Sequence, residues 1–148
     1  MENLIQQKIS ADHLMFVSLK YTKTCGVMIN LLEKWASIIT DGTAILLQDA
    51  KKKKKLKIIP PSPVMRIMKA QEIFSKEEDV TKVLEVQDMF KKIDSLRKLR
   101  ENEFRKNVTL RVFYKGKEIA VNLDKLKEYN EMIDRFVEFV KKYHSSKK

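Results

Sequence analysis

One cysteine, one tryptophan, three glycines and three prolines occur in 148 residues. A lone Cys25 excludes an internal disulfide and any multi-cysteine zinc site. Three scattered glycines cannot build a phosphate-cradling loop. Few breakers in a chain rich in Lys, Glu and Leu favour long helices over a many-turned β fold. No apolar run approaches the length of a membrane span. The first nine residues include Glu2 and lack the apolar centre of a signal peptide. These absences predict a soluble, cytoplasmic protein with no membrane partner. Charge is unevenly spread: positions 51–70 hold eight Lys/Arg and no Asp/Glu, so most of the net charge of +11 sits in twenty residues.

What is present is helical periodicity. Leu14, Tyr21, Met28 and Trp35 recur every seven residues, with Cys25, Leu32, Ile39 and Leu46 between them. Alternating steps of three and four form one face of a helix. Phe16, Leu19, Val27, Leu31, Ile38 and Ile45 lie off that face, and a helix apolar on more than one side is buried on more than one side. The pattern predicts a continuous helix from Ser10, as N-cap, to Ala50. Gly42 keeps the heptad phase, so Thr40 to Thr43 is expected to be helical rather than a turn. Gly42 and Gly26 are both expected to admit a closely crossing element.

Beyond Ala50, the lysines are expected to carry the helix into solvent and let it fray. Residues 51–63 read as a basic, proline-rich linker, ending in Ser62 as N-cap and Pro63 as first helical residue. Short helices are expected over Val64 to Phe74 and, capped by Ser75, through Val80, Val83, Val86, Phe90, Ile93 and Leu96. The charged stretch from Arg97 to Lys106 reads as the projecting end of that second helix. Positions 108–122 alternate in a β-hairpin pattern with Gly116 at the turn. Asn122 then caps a last helix carrying Leu126, Tyr129, Ile133, Phe136, Val140 and Tyr143, with 144–148 as a frayed tail. The expectation is one domain over 1–148: a mainly α bundle around a long N-terminal helix, with a small β-hairpin before the C-terminal helix.

No residue pattern assembles catalytic, cofactor or metal chemistry. His13 and His144 lack partners at metal-ligand spacing, Cys25 reads as a small buried hydrophobe, and the pairs Glu77/Glu78 and Glu128/Glu131 read as solvated surface. Two basic groups remain as candidates for an acidic partner. Lys51, Lys52, Lys53, Lys54, Lys55 and Lys57 have no aromatic among them. Arg97, Arg100, Arg105, Lys106 and Arg111 include Phe104, but pairing with Asp94, Glu101 and Glu103 along a helix would neutralise them.

Ala11-Asp12-His13-Leu14 and Leu19-Lys20-Tyr21-Thr22-Lys23-Thr24 resemble the first long helix of archaeal helical proteins whose packing is similar to HEPN-type bundles. Glu103-Phe104-Arg105-Lys106-Asn107-Val108-Thr109 looks like the segment where that superfamily places its arginine. HEPN ribonucleases follow an Arg by His four to six residues later. Here Arg135 and His144 are separated by eight residues, so the resemblance implies a non-catalytic relative that binds a partner. The expected function is therefore a non-enzymatic binding or assembly module without a cofactor, acting through a protein partner or through self-association along the heptad stripe. The alternative is an RNA- or nucleotide-binding protein, which requires segments 51–57 and 97–111 to share one face.

Overall fold

The computed structural model describes residues 1–146; Lys147 and Lys148 of the expected tail lie outside the described residues. It contains five helices and one three-stranded antiparallel sheet. Helix α1 (Glu2–His13) continues through a π-helical turn, Leu14–Ser18, and a last turn, Leu19–Tyr21. Helix α2 (Cys25–Lys52) is the central element, followed by α3 (Pro63–Ile73) and α4 (Glu78–Lys92). Strands β1 (Lys98–Glu101), β2 (Thr109–Tyr114) and β3 (Lys117–Val121) precede α5 (Leu123–Ser145).

The heptad stripe of α2 is the core. Cys25, Met28, Leu32, Trp35, Ile39 and Leu46 are all fully buried. Trp35 meets Phe90 of α4 and Tyr129 of α5, with ring centroids 6.0 and 6.4 Å away, and those two rings pack edge to face at 4.9 Å. Such aromatic pairs add stabilisation beyond the area they bury. Helix α5 runs parallel to α2, as the pairings Trp35 to Tyr129 and Asp49 to His144 show. Helices α1 and α4 run antiparallel to it, with Asn3 and Gln7 reaching Asp41 and Gln87 reaching Thr40. Surrounded in this way, the stripe from Cys25 to Leu46 is closed inside the domain.

Gly42 admits a close approach, as its heptad position predicts. A Cβ there would lie 2.5 Å from Cε2 and 2.8 Å from Cζ of the buried Phe136 ring. Gly26 does not, since the nearest atom to its virtual Cβ is the Thr24 hydroxyl at 3.8 Å.

The long helix differs from expectation at its start. Ser10 lies inside α1, and the chain breaks at Thr22-Lys23-Thr24, where Thr24 caps α2 by accepting from the Val27 amide at 3.3 Å. The π-helical turn and this break shift the phase of everything before Cys25. Phe16 and Tyr21, assigned to the interior by spacing, are 56% and 79% exposed. At the other end the helix does not fray. Lys54 takes φ +62, Lys54 N–H donates to Lys51 O at 3.1 Å and Lys55 N–H to Ala50 O at 2.9 Å. That is a Schellman cap, with lysine where glycine is usual.

Helix α3 starts at Pro63 as expected, but Glu77 rather than Ser75 precedes α4. Helix α4 stops at Lys92 and Arg97 to Lys106 is not helical. Lys98 Nζ satisfies the carbonyls of Asp94 and Leu96, both at 3.0 Å, and the chain turns into β1. The expected hairpin forms around Lys115 and Gly116, at φ +51 and +76, as a two-residue turn of the kind whose twist suits a hairpin. Strand β1 then adds a third strand, pairing Leu99 with Arg111 and Arg100 with Leu110. Leu110, Val112 and Val121 turn fully inward against the helices. Asn122 caps α5, accepting from the Lys125 amide at 2.8 Å.

Candidate nucleic-acid interface

The two basic groups lie at opposite ends of α2. The sheet is tied to its N-terminal end, where Cys25 Sγ approaches Thr109 O at 3.5 Å and the Phe104 amide donates to Lys23 O at 2.6 Å. The lysine run is its C-terminal end. Twenty-eight residues of helix separate them, about 40 Å at 1.5 Å per residue. They do not share one face.

At the lysine end, Lys53 is drawn inward: its ammonium donates to Tyr143 O at 2.7 Å and lies 3.5 Å from the centre of the Tyr143 ring. Beside it, His144 Nδ1 stands 2.9 Å from Oδ2 of the buried Asp49. His144 therefore belongs to the packed end of α5 rather than to a frayed tail. Lys51, Lys52, Lys54, Lys55 and Lys57 are exposed.

At the sheet end the arginines separate. Arg111 lies on the outer sheet face between Glu101 (2.7 Å) and Glu118 (3.2 Å). These are contacts across strands rather than the expected pairs along a helix, and Glu101 foremost raises the guanidinium pKa. Arg97 lies over Phe113, 5.0 Å from the ring centre. Arg100, Arg105 and Lys106 have no carboxylate within ion-pair distance among the described residues.

The turn between β1 and β2 brings these three to residues that spacing had placed elsewhere. Asn102 and Phe104 adopt φ +54 and +69. Asn tolerates that region; a bulky aromatic there is a genuine outlier. The Phe104 ring is 75% exposed, so the strain is not compensated by packing. Its amide is fixed to Lys23, whose own ammonium reaches Lys20 O at 2.7 Å. Tyr21 lies between those two lysines and is exposed. One end of the molecule thus presents two aromatic rings with Lys20, Lys23, Arg100, Arg105 and Lys106. A hollow that includes Lys106, Asn107, Thr109, Lys127 and the carboxylate of Asp124 adjoins it. Cys25 lies beneath, fully buried, and burial pushes its thiol pKa up.

Tyr21, Lys20 and Lys23 are functional candidates that periodicity hid. The available signal was Thr22-Lys23-Thr24 ahead of Gly26, a poor helical stretch with a good N-cap in it. No family model, curated protein or solved structure matches the chain.

Proposed function

We propose that the protein is a non-enzymatic binding module that holds single-stranded nucleic acid at its sheet end. Stacking platforms for bases are exposed aromatic rings, and backbone tracking needs cations without acidic partners. Phe104 carries the argument: an exposed ring held on a strained, hydrogen-bonded backbone among Arg100, Arg105 and Lys106. Tyr21 supplies a second ring and Lys20 and Lys23 further cations. Arg111 and Arg97, engaged with Glu101, Glu118 and Phe113, position the sheet rather than the ligand.

The test is fluorescence anisotropy with a short mixed-sequence RNA strand at about 50 and about 200 mM salt. Binding should weaken steeply with salt. Phe104→Gly removes the ring at a φ that glycine prefers, so affinity should fall by about tenfold, within the range of one lost base stack, without loss of stability. Absence of binding at the lower salt, or unchanged affinity in Phe104→Gly, would refute the proposal.

A further inference from the structure

The lysine end takes no part in that contact, and it carries a surface of its own. Lys51, Lys52, Lys54, Lys55 and Lys57 have no carboxylate within ion-pair distance among the described residues. Next to them in the chain stand four large apolar side chains in water: Ile58 is 76% exposed, Val64 65%, Met65 56% and Met68 61%. A helix on a globular protein normally turns its one apolar stripe inward. Helix α3 does this with Ala70 and Ile67, which pack on the core. It then places Val64, Met65 and Met68, at positions i, i+1 and i+4, on a second stripe facing out. Arg66 Nε donates to Pro60 O at 2.8 Å, fixing the linker to the start of α3, and Lys55 shares a hollow with Phe74 just after its end. Lysine turn, linker and helix therefore form one corner.

We propose that this corner docks onto an anionic lipid surface, with Ile58, Val64, Met65 and Met68 at the headgroup boundary and the lysines over anionic headgroups. This departs from the expectation that no membrane takes part; no helix among the described residues is long and apolar enough to cross one, and a surface contact needs no such helix. Charge complementarity carries the choice, because positions 51–70 hold eight cations and no anion. The cations are nearly all lysines, point charges without the planar fork that recognises a fixed carboxylate or phosphate pair. Val64, Met65 and Met68 stand on the solvent side of α3 with Ile58 in the linker before it, and two of the four are unbranched methionines that adapt to any neighbour. A fluid layer of mobile charges over acyl chains asks for this combination. A folded acidic partner would instead fit a groove with fixed donors.

The test is co-sedimentation of the full chain with vesicles of phosphatidylcholine alone and of phosphatidylcholine with roughly one-third phosphatidylserine, at about 50 and about 200 mM salt. Binding should require phosphatidylserine and fall at the higher salt. Met65→Ser/Met68→Ser and Lys51→Gln/Lys52→Gln/Lys55→Gln/Lys57→Gln should each lower partitioning by about tenfold or more. These side chains are exposed, so circular dichroism and melting temperature should match the parent. Phe104→Gly should pellet as the parent does, which separates this surface from the nucleic-acid one whether or not RNA binds. Equal pelleting with neutral vesicles, or none with anionic ones at the lower salt, overturns the proposal. So does binding of an acidic amphipathic peptide at this corner by a protein that ignores vesicles.

Discussion

Two residues that are not glycine hold left-handed backbone at opposite ends of this protein, and they do so for different reasons. Lys54, at φ +62, closes α2, and the hydrogen bonds of the cap offset its strain. Phe104, at φ +69, makes one backbone hydrogen bond to Lys23 and leaves its ring in water. The first outlier is explained by the helix it ends. The second lies in the turn closed by Arg105 N–H donating to Asn102 O at 3.2 Å, where glycine is the usual residue, and it is the large exposed ring kept there that separates a candidate binding surface from a structural basic cluster. Counting charge alone ranks the lysine end first, the reverse of the ranking proposed above. The denser cluster lacks aromatics, while the sparser one presents Phe104 and Tyr21.

The comparison depends on the shaft that keeps the ends apart, so its largest test is there. Gly42→Val would drive side-chain carbon into the Phe136 ring, where even a Cβ falls 2.5 Å from Cε2. Phe136 is fully buried and cannot swing away. We expect a loss of about 2–3 kcal/mol, as for overpacked cores, read as a lower midpoint in urea. Phe136→Leu added to Gly42→Val should recover part of it; no recovery would mean the strain lies elsewhere than between α2 and α5.

A second test of the shaft uses pH. Burial among Trp35 and Phe90 foremost, with Glu128 adding to it, pushes the Tyr129 hydroxyl up to about 12 from the ordinary 10.0. Between those values the unfolded chain has lost the proton that the folded chain retains. Stability must therefore fall as pH rises through that window, and below it Tyr129 contributes no pH dependence. Its share of the alkaline fall is at most about 2–3 kcal/mol. Tyr129→Phe should flatten that limb in melts taken from about pH 9 to 12; an unchanged limb would assign it to other groups.

Lys54 itself offers a smaller effect of opposite sign. Glycine removes the left-handed penalty of about 1–2 kcal/mol but gives back part of it as freedom in the unfolded chain. Lys54→Gly should raise stability by about 0.5–1 kcal/mol. A destabilised variant would show that the lysine side chain, not the backbone, holds the end of α2.

The interior was legible where periodicity reports burial. From Met28 to Leu46 and from Leu126 to Val140, the residues chosen by spacing are the buried ones, and even the contact at Gly42 follows from phase. Periodicity failed at Tyr21 because spacing cannot register a break: the π-helical turn and Thr22-Lys23-Thr24 reset the phase without a proline or a compelling glycine. Strand β1 was illegible for another reason. Lys98-Leu99-Arg100-Glu101 has one apolar residue and ordinary helix propensity, and becomes a strand only because β2 offers it an edge. The candidate interface inherits both failures. Phe104, Arg100, Arg105 and Lys106 were visible as types, but their grouping with Tyr21, Lys20 and Lys23 depends on a long-range bond to the Lys23 carbonyl.

The smallest expected effect discriminates most sharply between the ends. Lys51→Gln/Lys52→Gln/Lys55→Gln/Lys57→Gln removes four of the eleven net charges. If RNA binding followed net charge, its affinity and salt slope would both drop. The sheet end lies about 40 Å from these lysines, several screening lengths at the roughly 8–10 Å set by moderate salt. A short oligonucleotide seated on Phe104 and Tyr21 should not sense them, and its affinity should stay within about twofold of the parent with the same slope. Arg105→Gln/Lys106→Gln, with half as many charges removed, should flatten the slope by about 1. The reverse ranking would move the nucleic-acid surface to the lysine end and leave the exposed ring of Phe104 without a role.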